Sequence, residues 1–208
     1  MSSSGATEAV PTGNTFDKYG STNPVVRRLM TGFERTLDQL FARASPGSIL
    51  DIGCGEGVLT AQWADRIAPG RVLGVDLDDP KLAAEWASRE RDNLEYRTLD
   101  VAAGLPYGDG EFELVCATEV LEHVPGPELV VAEMARVASR FVLVSVPREP
   151  LWRGLNLARG AYVPQLGNTP GHVNHWSKRA FVEMLGRHGE VITARSPFPW
   201  TMVLVDVS

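Results

Sequence analysis

The stretch Asp51-Ile52-Gly53-Cys54-Gly55-Glu56-Gly57 sets three glycines and two carboxylates directly after an apolar run. Glycines at alternate positions let a backbone turn tightly and approach a ligand, and open parallel sheets bind ligands where their strands end. A dinucleotide fingerprint spaces its glycines G-x-G-x-x-G. Here the third glycine comes one position early, and Val58 takes its place. No Lys or Arg occurs between Gly47 and Asp65, whereas Asp51 and Glu56 flank the turn, and Asp76, Asp100 and Glu119 are expected at the ends of later strands. A pyrophosphate in such a cleft meets repulsion greater than a helix N-terminus can offset. A ligand carrying an ammonium, a sulfonium and a ribose diol, with no phosphate, is matched by these carboxylates one by one. Asp76 follows Gly57 by 19 residues, close to where an acidic side chain accepts from ribose hydroxyls.

These residues need a scaffold, and the periodicity supplies one. Asn23-Pro24 reads as an N-cap and first-turn proline. Val26, Leu29, Met30, Phe33, Leu37, Leu40 and Phe41 then recur at helical spacing to about Ala44. SILDI reads as a strand, Val58 to Ile67 as a helix and RVLGVD as a second strand. Asp79-Pro80 opens the helix KLAAEWASRER. LEYRTLD, FELVCAT and RFVLVSVP read as further strands, with a helix from about Pro127 to Ala138. Strands alternating with helices imply a parallel sheet covered on both faces. From Pro147 to Trp176 the chain is Gly-, Pro- and aromatic-rich with no clear period. A helix WSKRAFVEMLGRHG and two closely joined, hence antiparallel, strands follow.

In their order and spacing, ILDIGCGEG, GVDLDD and LDVAAGLPYGDGEFELVCATEVLEHV resemble the class I S-adenosylmethionine-dependent methyltransferases, in particular the type 11 methyltransferase domain group, from about Ser48 to Pro147. The resemblance implies an α/β fold: a Rossmann-like three-layer sandwich whose mostly parallel seven-stranded sheet has order 3-2-1-4-5-7-6, with an antiparallel last strand and helices on both faces. It implies S-adenosyl-L-methionine as donor and S-adenosyl-L-homocysteine as product. Gly53, Gly55 and Gly57 would lie against the amino-acid part of the cofactor, with Asp51 at the base orienting backbone and ammonium. Asp76 would take the ribose hydroxyls, Leu77 one adenine face and Asp100 the adenine amino group, with Val101 beside it. Thr118 and Glu119 would line the methionine end, and Tyr19 resembles an aromatic that closes over the cofactor.

Methyl transfer from a sulfonium is an in-line displacement that mainly requires orientation, worth about 7–11 kcal/mol at best. A base is needed only for a protonated acceptor. His123 in EVLEHVP is the catalytic candidate; capping and packing are the alternative explanation for it. Glu119, Glu122 and His123 would share one face of a helical turn, and His172 or His175 from GHVNHW could complete an oxygen and nitrogen metal site. Residues 147–176 follow the fifth strand and are expected to form the acceptor site, with Trp152, Tyr162 and Trp176 as walls beside His172 and His175. Arg148, Arg153 and Arg159 against Glu149 make that segment basic, which suits an acidic or phosphorylated small acceptor.

The 208 residues carry a net charge of −6. That sign disfavours nonspecific nucleic-acid binding. No apolar run is long enough for a membrane span and no secretory signal is readable, so a cytoplasmic setting is expected. Cys54 and Cys116 read as free thiols at buried strand ends. Residues 1–15 read as a mobile tail and 16–208 as one methyltransferase domain, with 147–176 as its acceptor-site insertion. Transfer to a small molecule, on O, N or C, is the primary reading. The alternatives are an RNA-directed methyltransferase with a metal-assisted site, a nicotinamide-dependent oxidoreductase and a noncatalytic binding protein.

Overall fold

The computed structural model describes residues 22–208. Tyr19 and the tail lie outside the described residues. The chain runs α1 (Pro24–Ala44), β1 (Ser48–Ile52), α2 (Val58–Ile67), β2 (Arg71–Asp76), α3 (Pro80–Ala87), β3 (Leu94–Thr98), β4 (Phe112–Thr118), α4 (Pro127–Val137), β5 (Ala138–Pro147), α5 (Leu151–Ala158), α6 (Lys178–Leu185), β6 (Glu190–Arg195) and β7 (Trp200–Asp206). Short 3₁₀ turns occupy Val101–Ala103 and Val163–Gln165. The seven strands form one sheet of order β3-β2-β1-β4-β5-β7-β6, with β7 antiparallel to both of its neighbours. This is the expected three-layer, Rossmann-like α/β arrangement.

Alternation along the central strands creates two cores, because successive side chains of a strand point to opposite faces. Ile49, Val72, Leu114, Cys116, Leu143, Met202 and Leu204 face Phe33, Leu37 and Phe41 of α1 and Trp63 of α2. Leu50, Ile52, Val75, Val115, Val144, Val146 and Val203 face Val130, Val131 and Met134 of α4 and Phe181 of α6. The strand tips therefore share one edge, and the polar residues at that edge are held by backbone locked on both faces.

Several features depart from the sequence reading. Helix α3 stops at Ala87, because the Ser88 hydroxyl and the Arg89 guanidinium both donate to the Glu85 carbonyl and end the helical ladder. The region without a clear period contains α5, in which Leu151, Trp152 and Leu155 are half-buried and Asn156 is buried. Cys54 is not at a strand end but within the turn, half-buried; Cys116 is buried in β4, and both are free thiols. Among the described residues, no helix is long and apolar enough to cross a membrane.

Candidate functional site

The turn after β1 holds Gly53, Gly55 and Gly57 at φ of +66°, +54° and +78°. Only glycine adopts that region without strain. A side chain at Gly53 would collide with Val120, and one at Gly57 with Tyr96. The turn bends back onto β2, with the amides of Gly53 and Cys54 donating to the Val75 carbonyl at 2.8 and 3.1 Å. Behind it, Trp86 Nε1 donates to the Gly55 carbonyl at 2.8 Å and the Tyr96 hydroxyl to the Gly57 carbonyl at 3.0 Å. The two rings stack with centroids 5.2 Å apart. No local signal in the sequence marks this aromatic buttress: it depends on α3 and β3 being brought beside a turn some thirty residues earlier in the chain.

Asp51 is 2% exposed, and its Oδ2 accepts from Thr60 Oγ1 at 2.6 Å. Its Oδ1 is buried without a hydrogen-bond partner. Desolvation, with a smaller contribution from the neighbouring Asp76, pushes its carboxyl up to about 7 against the opposing Thr60 bond. Asp76 ends β2. Its Oδ2 accepts from the Gly55 amide at 2.6 Å and its Oδ1 from the Leu77 amide at 2.7 Å. Burial raises its carboxyl, and those two amide bonds oppose the shift. Each oxygen has further acceptor capacity. Leu77, beside it, is 43% exposed although apolar.

Asp100 is exposed and caps the Val101 turn by accepting from the Ala102 amide at 3.0 Å; Val101 is half-buried against the core. Thr118 ends β4 opposite Ser145. Glu119 corrects the expectation of a shared helical face with Glu122 and His123. It sits at φ +61°, so its carboxylate turns away, accepting from Ser145 Oγ at 3.0 Å and Trp200 Nε1 at 2.6 Å. A left-handed residue breaks helical spacing, and residues 119–126 form turns instead.

Glu122 and His123 instead meet His172: one ligand atom from each lies within 4.8 Å of the others. His123 Nδ1 is 3.0 Å from the Gly171 carbonyl. His175 is outside this group; it is exposed, with Nε2 2.6 Å from Asn168 Oδ1. The group lies close to the glycine turn in the chain's fold, since Val120, which packs on Gly53, accepts through its carbonyl from the His123 amide.

Of the expected acceptor residues, Trp152 joins this region, its ring centroid 6.3 Å from that of His172 and 5.9 Å from that of Trp200. Trp152 Nε1 donates to Thr169 Oγ1. Arg148 is half-buried where its backbone bridges Trp176 and Pro199. Trp176 packs beside Phe181 against the core. Tyr162 is half-buried at a left-handed corner. The positive charge of the segment is partly spent internally, since Arg153 Nε donates to the Leu166 carbonyl and Arg159 to Asn156 Oδ1.

Parallel strands carrying a glycine turn and acidic strand tips define a nucleoside-binding α/β domain, and comparison with known proteins narrows the class. Residues 50–140 match the Methyltransf_11 family, described as a methyltransferase domain. A ubiquinone biosynthesis O-methyltransferase of Dechloromonas aromatica is 35% identical over 160 residues, 71% of this chain and 68% of that protein. Norajmaline N-methyltransferase of Rauvolfia serpentina is 35% identical over 96 residues, 45% of this chain and 33% of that one. The chain thus spans between a third and about two thirds of these relatives' lengths. Magnesium protoporphyrin IX methyltransferase of Synechocystis, solved with bound S-adenosylhomocysteine, shares the fold at a TM-score of 0.64 and 19% identity, covering 91% of this chain and 90% of that one. A putative methyltransferase of Haloferax volcanii, in complex with its Trm112 activator, does so at 0.68 and 17%, over 87% and 94%. The chain belongs to the class I S-adenosylmethionine-dependent methyltransferases, type 11 group. The methyl donor of this class is S-adenosylmethionine.

Proposed function

We propose that this protein transfers the methyl group of S-adenosylmethionine to a hydroxyl of a small, partly apolar molecule. The observation that carries the reading is the pair of carboxylates, Asp51 and Asp76, at a left-handed glycine turn whose own stretch, from Gly47 to Asp65, contains no Lys or Arg. Buried Asp51 faces a cationic ligand group with an acceptor oxygen to offer, and Asp76 keeps lone pairs for ribose hydroxyls. Leu77 and Val101 offer apolar surface for an adenine between β2 and the Asp100 turn. The choice of oxygen draws on the relatives, named for ubiquinone biosynthesis and for tocopherol O-methylation. It also draws on the Glu122, His123 and His172 group, which can take a proton.

In the reaction the acceptor oxygen bonds to the methyl carbon as the carbon–sulfur bond breaks. Its electron pair stays on sulfur, the sulfonium becomes a thioether, and the hydroxyl proton leaves to the imidazole and carboxylate group. Residues 147–176 would form the acceptor side, with Trp152 as an apolar wall. A transfer assay with labelled donor and a panel of aromatic and aliphatic alcohols tests this. Turnover on a hydroxyl acceptor is expected, and His123→Ala is expected to lower kcat about 100-fold. Transfer only to amines or carbons, or a loss under threefold, contradicts the assignment.

A further inference from the structure

Of the eight large apolar side chains that stand exposed among the described residues, five lie on the segments that join β5 to α6 and β6 to β7. They are Leu157 in the last turn of α5, Val163 and Leu166 around the following 3₁₀ turn, Val173, and Phe198. Val163, Leu166 and Val173 are 53, 66 and 61% exposed. Both segments sit at the sheet edge that carries the glycine turn, since β5 runs parallel to β4 and β1 and ends there, and antiparallel β7 begins there. The Pro199 carbonyl, beside Phe198, accepts from the Arg148 amide and ties the two together. A helix on a protein surface normally turns charged or polar residues to water. The outer side of α5 instead shows Gly154, Leu157 and Ala158. The corner after it is ordered: the amides of Gly160, Leu166 and Gly167 donate to the carbonyls of Leu157, Val163 and Tyr162. The apolar tips are therefore held out by fixed backbone.

Their setting is cationic. No Asp or Glu occurs between Glu149 and Glu183, whereas Arg153, Arg159, Lys178 and Arg179 do, in a chain of net charge −6. Arg153 and Arg159 donate to the Leu166 carbonyl and to Asn156 Oδ1, and Lys178 to the Ala194 carbonyl. These oxygens are neutral, so the charges stay available to an anionic partner. We propose that this surface, formed by residues 153–179 together with Phe198, docks on an anionic lipid bilayer. Aliphatic tips interleaved with cations suit a bilayer interface, the tips entering the acyl boundary while guanidinium and ammonium groups meet headgroup phosphates. A single-stranded nucleic-acid groove would set its cations among stacking aromatic side chains instead. The attachment is peripheral and needs no spanning helix. The acidic remainder of the chain is repelled by the same lipids, which fixes the orientation. This is also the acceptor side of the proposed reaction, although the docking does not depend on that reading.

Flotation of the full chain with vesicles of equal parts phosphatidylglycerol and phosphatidylcholine tests the proposal, beside vesicles of phosphatidylcholine alone. Binding to the anionic vesicles is expected, with affinity for the neutral ones at least about tenfold weaker. It should weaken as salt rises from about 0.1 to about 1 M, where the screening length falls from about 10 to about 3 Å. Val163→Ser combined with Leu166→Asn should reduce binding about tenfold; asparagine tolerates the left-handed backbone of position 166. Arg159→Gln combined with Arg179→Gln should reduce it about 30-fold, roughly fivefold for each cation. Leu129→Ser, exposed on α4, should leave it unchanged. All these positions are exposed, and circular dichroism verifies that the variants are folded. Failure to float with anionic vesicles, equal flotation with neutral ones, or folded variants that float like the wild type overturn the docking. A dimer that dissolves on Leu166→Asn overturns it too, because a second copy would then cover the surface. Flotation without methyl transfer to any hydroxyl upholds the docking and overturns only the reaction.

Discussion

The glycine turn and the segment from Pro147 to Trp176 face each other across the same sheet edge, yet they are held by different means. The turn is fixed by backbone geometry: three left-handed glycines, amides bonded to the Val75 carbonyl, and a stacked Trp86 and Tyr96 behind it. The segment opposite is fixed by side chains that bond to backbone. Buried Asn156 donates to the Gly167 carbonyl and to Thr169 Oγ1, and Arg153 to the Leu166 carbonyl. Left-handed Tyr162 and Leu166 turn its corners. A site for a constant donor tolerates a rigid, glycine-defined cradle. A site for a variable acceptor can be rebuilt by exchanging a few side chains without disturbing the sheet.

Asn156→Ala should break one side of this contrast and spare the other. Leaving the Gly167 carbonyl unsatisfied in a buried place costs about 2 kcal/mol of local stability. Hydrogen exchange over residues 162–169 should therefore quicken roughly 30-fold, and the KM for acceptor should rise with donor affinity unchanged. Equal weakening of donor binding would show that the two regions are one cooperative unit.

A smaller effect sharpens the donor side. Asp51 titrates at about 7 in the folded protein, raised by burial, against an ordinary value of 3.8. The folded form therefore keeps a proton that the unfolded chain has lost. This group's contribution lowers stability as pH rises from about 4 to about 7, and the effect is constant above that. A cationic ligand prefers the carboxylate, so donor affinity should increase about tenfold from pH 6 to pH 8. Asp51→Asn should flatten that part of the calorimetric profile. A profile unchanged by the substitution would remove Asp51 from the ammonium contact.

Much of the donor side is legible in the sequence, because its requirements are local. Asn23-Pro24, with the Asn23 side chain accepting from the Val25 amide, marks the start of α1, and the glycines mark the turn. The two short strands around Pro197 and Pro199 leave no room for a parallel crossover, so their antiparallel pairing is legible as well. What escapes the sequence is set by distance. Glu119 reads as a helical neighbour of Glu122, but its left-handed backbone sends the carboxylate to Trp200, 81 residues on. Helix α5 hides because Gly154 and the buried Asn156 interrupt its apolar pattern, and the purpose of Asn156 appears only once Gly167 is folded over it. Likewise, nothing in EVLEHV says whether its carboxylates and histidine will find His172 or His175.

In the proposed function Asp76 and the glycine turn hold the donor while residues 147–176 do not. Calorimetric titration of S-adenosylhomocysteine into wild type, Asp76→Ala and Asn156→Ala tests it directly. Asp76→Ala should weaken binding by about 1.5–3 kcal/mol, the scale of hydrogen bonds to a charged group, and Asn156→Ala should leave it within error. Unchanged affinity in Asp76→Ala would contradict the account.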